Sequence, residues 1–300
     1  IELINEPTAA VLHYASLPGV EVGGRVMIFD LGGGTFDVTF AEVKNKKVDV
    51  LTSRGDKYLG GRDFDKEITK LMKKKYHNIH NVDIDIENKK EYIQKAEEVK
   101  KILSVKNKAI ISIDGPKGPQ EIEITLEEFE ESIQTYIEKI KMLIEEAMEA
   151  SGMKPSRINQ TLLVGGSTRI PLITKVLTNI MGKAPVKGVN VDEAVVCGAA
   201  IYAGLKTEKK ILNNEQQAAL KDVNLTDVCN FYMGTLALVR DHLTNRDVIA
   251  NTIIIERDSK LPVSITKRLY TVYEGQETLE CSVTQSEGPE ENKEFVNIIH

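Results

Sequence analysis

The chain has 300 residues, of which 41% are hydrophobic and 28% are charged, so it has enough apolar side chains to bury a sizeable core. Its 39 Lys and Arg against 45 Asp and Glu give a net charge of -6, and the basic residues are spread along the chain, which argues against nucleic acid as a partner. The uncharged apolar runs are far too short to span a membrane, so we expect no membrane partner either.

The cysteines and histidines give no sign of a metal site. Cys197, Cys229 and Cys281 are widely separated and have neither CxxC nor zinc-ligand spacing, which is typical of a reducing compartment, and we expect a cytoplasmic protein. His77 and His80 form an isolated HxxH pair, which favours a solvated loop.

Because the chain does not begin with Met and shows no signal-peptide pattern, we expect a fragment of a longer protein.

Hydrophobic periodicity predicts alternating strands and helices over the first part of the chain. In chain order, the expected elements are strands at 26–29, 36–40 and 47–52, helices at 63–76 and 91–104, strands at 109–113 and 121–124, a helix at 125–150, a strand at 160–164, and helices at 171–181 and 194–205. The helix at 125–150 begins with a capping box, because Thr125 can accept a hydrogen bond from the amide of Glu128 while the Glu128 carboxylate reaches back. It should end at Gly152.

The character of the sequence changes near residue 228. Short β-prone segments follow, separated by Pro, Gly and Asn, at residues 252–255, 263–266, 270–273, 278–284 and 295–299. Between the two parts, residues 222–228 alternate between apolar and polar side chains. Such alternation suits the addition of a strand to a sheet edge that has one buried face.

The strongest chemical signal is Asp30-Leu31-Gly32-Gly33-Gly34-Thr35-Phe36-Asp37. Glycines at a strand turn let backbone amides approach phosphate oxygens that a Cβ would obstruct, and the Thr35 hydroxyl can add a donor. Two carboxylates beside a phosphate are explained by a hard cation such as Mg²⁺ between them, held through water. The alternative is a tight hairpin with two surface aspartates. Neither GxxxxGK[ST] nor GxGxxG occurs in the sequence.

A polar stripe runs along the helix predicted at 91–104. Glu97, Lys100, Lys101 and Ser104 fall at positions i, i+3, i+4 and i+7, beside the apolar stripe of the same helix. The stripe can line a ligand site, or it can be a solvated face with Glu–Lys pairs.

The segment DLGGGTFD at residues 30–37 resembles the second phosphate loop of the seventy-kilodalton heat-shock (DnaK-like) chaperone family, within the actin, sugar-kinase and chaperone superfamily. Other stretches resemble motifs of that family in the same order, namely INEPTAA at 4–10, LGGRDFD at 59–65, VGGSTRIP at 164–171, and NVDEAV with GAA at 190–200. The resemblance implies an α/β fold: an actin-like (ribonuclease-H-like) ATPase lobe with a mixed sheet and packed helices, followed by a linker and a partial β-sandwich.

The resemblance also implies how the chain is divided. Residues 1–221 would be the C-terminal part of an actin-like nucleotide-binding domain, with a helical insertion subdomain at about 60–135. Residues 222–228 would be the interdomain linker, and residues 229–300 a partial β-rich substrate-binding domain. The linker departs from the family pattern, which has an acidic residue followed by a nearly unbroken run of leucines.

Carried over residue by residue, the resemblance implies a site for ATP or ADP with Mg²⁺. Its catalytic residues would be Glu6, which senses the γ-phosphate and its water, Asp30, Thr35 and Asp37, with Asp30 and Asp37 holding Mg²⁺ through water. The cofactor-binding residues would be Gly32, Gly33, Gly34, Thr35, Glu97, Lys100, Lys101, Ser104, Gly165, Gly166, Ser167, Arg169 and Asp192. Arg169 would stack its planar guanidinium on the adenine, and Asp192 would close the pocket behind the nucleoside.

The resemblance implies an ATP-dependent molecular chaperone of the stress response and of protein folding. Its nucleotide state would be coupled to the binding of unfolded or extended peptide segments, with a J-domain co-chaperone and a nucleotide exchange factor as partners. In the family, the first lobe carries the other phosphate loop and the lysine needed for hydrolysis, so we expect these residues alone to bind adenine nucleotide weakly without hydrolysing ATP. A small-molecule kinase and an actin-like filament protein are the alternatives, and the β-rich residues 228–300 argue against both.

Overall fold

The computed structural model describes residues 2–17, 24–87, 89–186, 190, 192–240, 245–289 and 297–299. The helices within these residues are α1 Glu6–Ser16, α2 Gly61–His80, α3 Lys90–Leu103, α4 Leu126–Ser132, α5 Gln134–Ser151, α6 Pro171–Met181, α7 Ala194–Lys206 and α8 Asn214–Leu220. The strands are β1 Gly24–Leu31, β2 Phe36–Lys44, β3 Lys47–Asp56, β4 Lys108–Gly115, β5 Gly118–Thr125, β6 Gln160–Val164, β7 Asn224–Val228, β8 Tyr232–Arg240, β9 Asp247–Ile255, β10 Lys260–Leu261, β11 Val283–Ser286 and β12 Asn297–Ile299. Every helix in this described part is too short or too polar to cross a bilayer.

A mixed sheet of six strands, in the order β10-β7-β3-β2-β1-β6, lies at the centre of the molecule. Strands β1, β2 and β3 are antiparallel neighbours, whereas β6 runs parallel to β1 and β7 runs parallel to β3. Successive side chains of a strand face opposite sides, so Met27 and Phe29 pack in a core with α2, α3, α5 and α6, while Val26 and Ile28 pack with α1. The sheet is covered on both faces, which confirms the predicted mixed sheet with packed helices.

Helices α2 and α3 pack side by side. Phe64, Ile68 and Met72 form the buried stripe of α2, and Ala96 and Val99 form that of α3. Both stripes join the core on the same face of the central sheet. The hairpin of β4 and β5 packs against this pair of helices. An insertion subdomain at about 60–135 stays a prediction.

The helix predicted at 125–150 is interrupted. Its capping box is confirmed, because the Glu128 amide donates to Thr125 Oγ1 at 3.2 Å and the Thr125 amide donates to the Glu128 carboxylate at 2.9 Å. However, α4 ends at Ser132, and Ile133 leaves the helical conformation with φ -98° and ψ 6°. The i→i+4 hydrogen bonds of the Ile133 and Ile137 amides continue through the break, and Phe129 and Ile133 both lie in the core, where each is fully buried.

The stretch predicted as a linker adds a strand to the central sheet. In the parallel pairing of β7 with β3, Leu225 lies opposite Val48, and Val228 is buried at the end of the strand. Strand β10 then pairs antiparallel with the outer side of β7. The strand addition predicted from the alternating polarity is confirmed, although Asn224 at the start of β7 is exposed to solvent.

The residues beyond β7 form an antiparallel sheet of four strands in the order β12-β11-β8-β9. The prediction of strands at 263–266 and 270–273 is wrong, because these mostly exposed residues pair with no strand in the described part of the chain. Of the strand predicted at 278–284, just the last two residues belong to β11. Residues 295 and 296 lie outside the described residues, and 297–299 form β12.

Candidate functional site

The glycine turn between β1 and β2 carries two carboxylates at its base. Asp30 and Asp37 lie directly opposite each other in the β1–β2 register, one step before the last pair of the ladder. Inside the turn, the Gly32 amide donates to the carbonyl of Thr35 at 3.0 Å. The predicted glycine hairpin is therefore confirmed, and it brings both predicted metal-binding residues to one end of the sheet.

Burial and mutual repulsion raise the pKa values of these two aspartates. The pKa of Asp30 is raised to about 6, mainly by burial and further by the charge of Glu6. The pKa of Asp37 is raised to about 7 by burial, by Asp30 and by Glu6. Glu6 stands in the first turn of α1 and is exposed, so three predicted catalytic residues lie close enough to interact.

This arrangement of carboxylates fits a divalent cation. A cation beside Asp30 and Asp37 would favour their ionised forms and remove the repulsion that raises both pKa values. Among the described residues, no group of three or more His, Cys, Asp or Glu side chains is placed to hold a metal ion. The aspartates therefore do not complete a metal shell, and water or a ligand would have to supply the other oxygens.

The start of α2 fixes the glycine turn from behind. The Gly61 amide donates to the Gly32 carbonyl at 3.0 Å, and the Arg62 amide donates to the Gly33 carbonyl at 2.7 Å. A Cβ on Gly60 would lie 2.5 Å from the Gly34 nitrogen, so the backbones of the turn and of the helix start approach as closely as glycine allows.

The front of the turn is open. A Cβ added to Gly33 or to Gly34 would meet no atom of the protein within 4 Å. The protein itself therefore does not require glycine at these two positions for space. A ligand whose oxygens approach the backbone of the turn would require it, as phosphate does.

A second glycine loop, at the end of β6, lies against the first. Because β6 runs parallel to β1, the ends of both strands meet at the same edge of the sheet. Gly165 has a φ of +83°, and a Cβ there would lie 2.5 Å from the carbonyl oxygen of Leu31. Ser167, in the following 3-10 turn, donates its hydroxyl to the Gly32 carbonyl at 2.9 Å.

The side chains of the polar stripe on α3 have different surroundings. Lys100 reaches the glycine turn region, where its Nζ donates to the Gly61 carbonyl at 2.9 Å. Glu97 and Lys101 instead form a solvated ion pair with each other at 2.7 Å. Ser104 donates its hydroxyl to the Lys100 carbonyl within the same helix segment. Glu97 and Lys101 form the Glu–Lys pair of the solvated-face alternative, and Lys100 contacts the start of α2 beside the glycine turn, while the ligand contacts of all four residues stay a prediction.

The partner of Lys100 is Asp65, which was not predicted from the sequence. Asp65 lies on the inner face of α2, is 4% exposed, and forms an ion pair with Lys100 at 2.8 Å. Burial raises the pKa of Asp65, and the hydrogen bond and charge of Lys100 oppose that shift. The sequence does contain a signal for it, because Asp65 shares a helix face with Ile68 and Met72, and an acid on an apolar face needs a partner.

Two predicted nucleoside contacts meet each other at the outer end of the second loop. Arg169 pairs with Asp192 at 2.5 Å, and both side chains are more than half exposed. A Cβ on Gly166 would lie 3.8 Å from Asp192 Oδ1, so the carboxylate also approaches the loop backbone. The pair uses one edge of the guanidinium and leaves its flat faces for other contacts. Val191, in the same motif, lies outside the described residues.

The end of β3 connects the carboxylate pair with the β-rich part. A Cβ on Gly55 would overlap the carboxylate of Asp37, so glycine is required there for space. Its neighbour Arg54 binds both oxygens of Asp258, at 3.1 and 2.9 Å, and also Glu146 at 2.7 Å. The bidentate pair ties the segment between β9 and β10 to the central sheet.

Strand β7 is tied in turn to the start of α1. The Asp227 carboxylate accepts hydrogen bonds from Asn5 Nδ2 at 3.0 Å and from Thr8 Oγ1 at 3.2 Å. These donors stand on either side of Glu6 in the sequence. The added strand therefore contacts the helix turn that presents Glu6 to the aspartate pair.

The chain is similar to proteins of one known family. A family model described as Hsp70 protein matches residues 1–296. The Chaperone protein DnaK of Thermosipho africanus is 35% identical over 302 residues, which cover 96% of this chain and 47% of the relative. The Chaperone protein DnaK of Thermus thermophilus is 34% identical over 301 residues, which cover 96% of this chain and 45% of the relative.

The chain spans slightly less than half the length of these curated relatives. A similar match, 34% identity over 297 residues, is found with the Chaperone protein dnaK of Emiliania huxleyi. The family model, by contrast, extends through the β-rich part almost to the last residue. The chain therefore belongs to the Hsp70 family and has the actin-like α/β fold of its ATPase domain.

Proposed function

We propose that the chain is the adenosine-side part of an ATP-dependent molecular chaperone, joined through β7 to the beginning of its peptide-binding domain. The observation that carries the proposal is that both glycine loops and Lys100 contact Gly61. One loop is open in front at Gly33 and Gly34, as a phosphate site requires. The other adjoins the Arg169–Asp192 pair, which suits a nucleoside.

The nucleotide would bind across the edge of the sheet where β1 and β6 end. Backbone groups of Gly33 and Gly34 would contact its phosphates, and a flat face of Arg169 would stack on the adenine. Asp30 and Asp37 would hold Mg²⁺ through water, and the cation would supply positive charge beside the phosphates. Glu6, which already interacts with both aspartates, would respond to the outermost phosphate.

The proposal includes coupling between nucleotide and peptide binding. Asp227 of β7 accepts hydrogen bonds from residues on either side of Glu6 in the sequence. Arg54, which binds Asp258, is the chain neighbour of Gly55, and Gly55 packs against the Asp37 carboxylate. Two successive contacts therefore connect the carboxylates of Asp37 and Glu6 with the β-rich part. Unfolded or extended peptide segments, a J-domain co-chaperone and a nucleotide exchange factor are the partners that we propose on the basis of family membership.

A calorimetric titration tests the proposed function. The protein at its native length should bind ADP with Mg²⁺, and it should bind GDP more weakly. Arg169→Ala should weaken ADP binding about fivefold, because a stacked guanidinium contributes on the order of 1 kcal/mol. Arg25→Ala is the matched control, since Arg25 is also ion-paired, to Glu42, but lies away from the glycine loops. No detectable ADP binding, or an equal effect of the two substitutions, would contradict the proposal.

A further inference from the structure

Asp65 is a buried carboxylate that the nucleotide contacts described above do not include. Its neighbours on the inner face of α2 are Ile68, Thr69 and Met72, and all four residues are buried. An ionised carboxylate in such surroundings is strongly unfavourable unless it is paired and hydrogen-bonded. Its partner is the ammonium of Lys100, whose side chain is 12% exposed.

The contacts of Lys100 hold its ammonium in one place. An ammonium group has three donors, of which Lys100 gives one to the Gly61 carbonyl at 2.9 Å, while the Asp65 carboxylate lies 2.8 Å from the same nitrogen in an ion pair. A free lysine side chain is long and flexible, so binding a ligand through it would require ordering several bonds. Here that ordering is already achieved in the folded protein, which is the condition called preorganisation.

The fixed ammonium stands between the two glycine loops. A Cβ on Gly61 would lie 2.9 Å from Lys100 Nζ and 2.5 Å from Ser167 Oγ, so both polar atoms occupy the same side of Gly61. Ser167 Oγ in turn contacts the Gly32 carbonyl. The part of a nucleotide that joins its phosphates to its base is the sugar, and the sugar would lie at this junction.

We propose that Asp65 is the positioning residue that directs the third donor of Lys100 to a hydroxyl of the nucleotide sugar. Asp65 thereby sets the preference of the site for ribonucleotides over deoxyribonucleotides. This inference rests on the proposed function, because it requires the nucleotide to bind between the two loops. A purely structural ion pair would stabilise the fold without any effect on that preference.

The test measures a ratio of affinities. Calorimetry on the protein at its native length would give dissociation constants for ADP, 2′-deoxy-ADP and 3′-deoxy-ADP. The parent should bind ADP at least about tenfold more tightly than one of the deoxy analogues, as expected for a charge-assisted hydrogen bond. Asp65→Asn, which keeps the shape but removes the charge, should reduce that ratio to within about twofold of unity. In a Lys100→Met background, Asp65→Asn should leave the ratio unchanged.

Two further variants keep the test decisive. Asp63→Asn is the matched control, because Asp63 is another acid of α2 that bonds the Gly60 amide and Lys66 instead of Lys100. It should lower the melting temperature and leave the ratio unchanged. If Asp65→Asn fails to fold, Asp65→Glu replaces it, since it retains the charge but displaces the ammonium and should also lower the ratio. A parent ratio retained in the folded Asp65 variant overturns the inference alone, whereas a parent that binds no ADP overturns the proposed function.

Discussion

Gly198 of α7 and Ala9 of α1 bring the backbones of the two helices into direct contact. A Cβ on Gly198 would overlap the carbonyl oxygen of Ala9, so no side chain larger than hydrogen fits at this crossing. Helix α1 presents Glu6 to the aspartate pair, and α7 begins two residues after Asp192. The crossing therefore fixes the elements that position a candidate catalytic residue and a candidate nucleoside contact.

Replacement of Gly198 by alanine should destabilise the protein. Alanine is favoured over glycine by about 1 kcal/mol within a helix, but overpacking against a backbone atom costs about 1–3 kcal/mol or more. Urea unfolding should therefore show a net loss for Gly198→Ala. Gly204→Ala on the same helix is the control, because its Cβ would meet the flexible end of Leu220 at 2.8 Å, and it should be near neutral. Equal stability of the two variants would show that the helices can separate freely.

The ion pair between Arg54 and Asp258 should hold the β-rich part on the central sheet. Asp258→Asn weakens a charge-assisted bond to a buried arginine, so it should cost about 1.5–3 kcal/mol of unfolding free energy. Amide hydrogen exchange in β7 and β10 should accelerate. Asp247→Asn is the control, since Asp247 forms an exposed pair with Arg240 that is worth little. Unchanged exchange in Asp258→Asn would refute this role of the pair.

The stability of the metal-free protein should fall as the pH rises. The folded-state pKa values of Asp30, about 6, and Asp37, about 7, lie above their ordinary value of 3.8, so folding takes up protons at these groups. Their contribution is fully present below that ordinary value and is lost as the pH rises through 6 and 7, at up to about 1.4 kcal/mol per pH unit for each group.

Urea unfolding in EDTA between about pH 4 and 8 measures this dependence. Asp37→Asn should flatten the curve and raise the stability at the alkaline end. Asp114→Asn is the control, because the Asp114 side chain is 70% exposed, and it should leave the curve unchanged. A parent curve that is flat over this range, or equal curves for both variants, would show that the aspartates are not under electrostatic strain.

Local sequence patterns predicted the elements whose first and last residues are typical of an element end. Helix α6 has the predicted bounds, since proline begins it and glycine follows it. Helix α8 was missed although its signal is present, because Asn213 and Gln216 form a capping box. The break at Ile133 has no local signal, because apolar residues continue at helical spacing through it. The strands expected at 263–266 and 270–273 fail because a strand needs a partner, which periodicity cannot supply.

The sequence predicted the glycine loops of the candidate site, because glycine spacing reflects backbone geometry. It predicted the side-chain pairs less well. The two glycine loops follow from the sequence, and their contact follows from the parallel pairing of β1 and β6. The helical stripe predicted Glu–Lys pairs such as Glu97 with Lys101, but it could not predict the ion pair between Lys100 and Asp65. That pair joins α3 to α2, and periodicity within one helix gives no information about a partner in another helix.

The turn containing Gly34 is the proposed binding site for the phosphates of an adenine nucleotide. The substitution Gly34→Ala tests this role, because the added Cβ meets no protein atom within 4 Å and should leave the fold intact. Calorimetry on the protein at its native length should then show ADP binding weakened about tenfold or more, through lost charge-assisted hydrogen bonds, while adenosine binding and the urea unfolding curve stay unchanged. If Gly34→Ala binds ADP as tightly as the parent protein, the turn does not hold phosphate and the proposed nucleotide site is wrong.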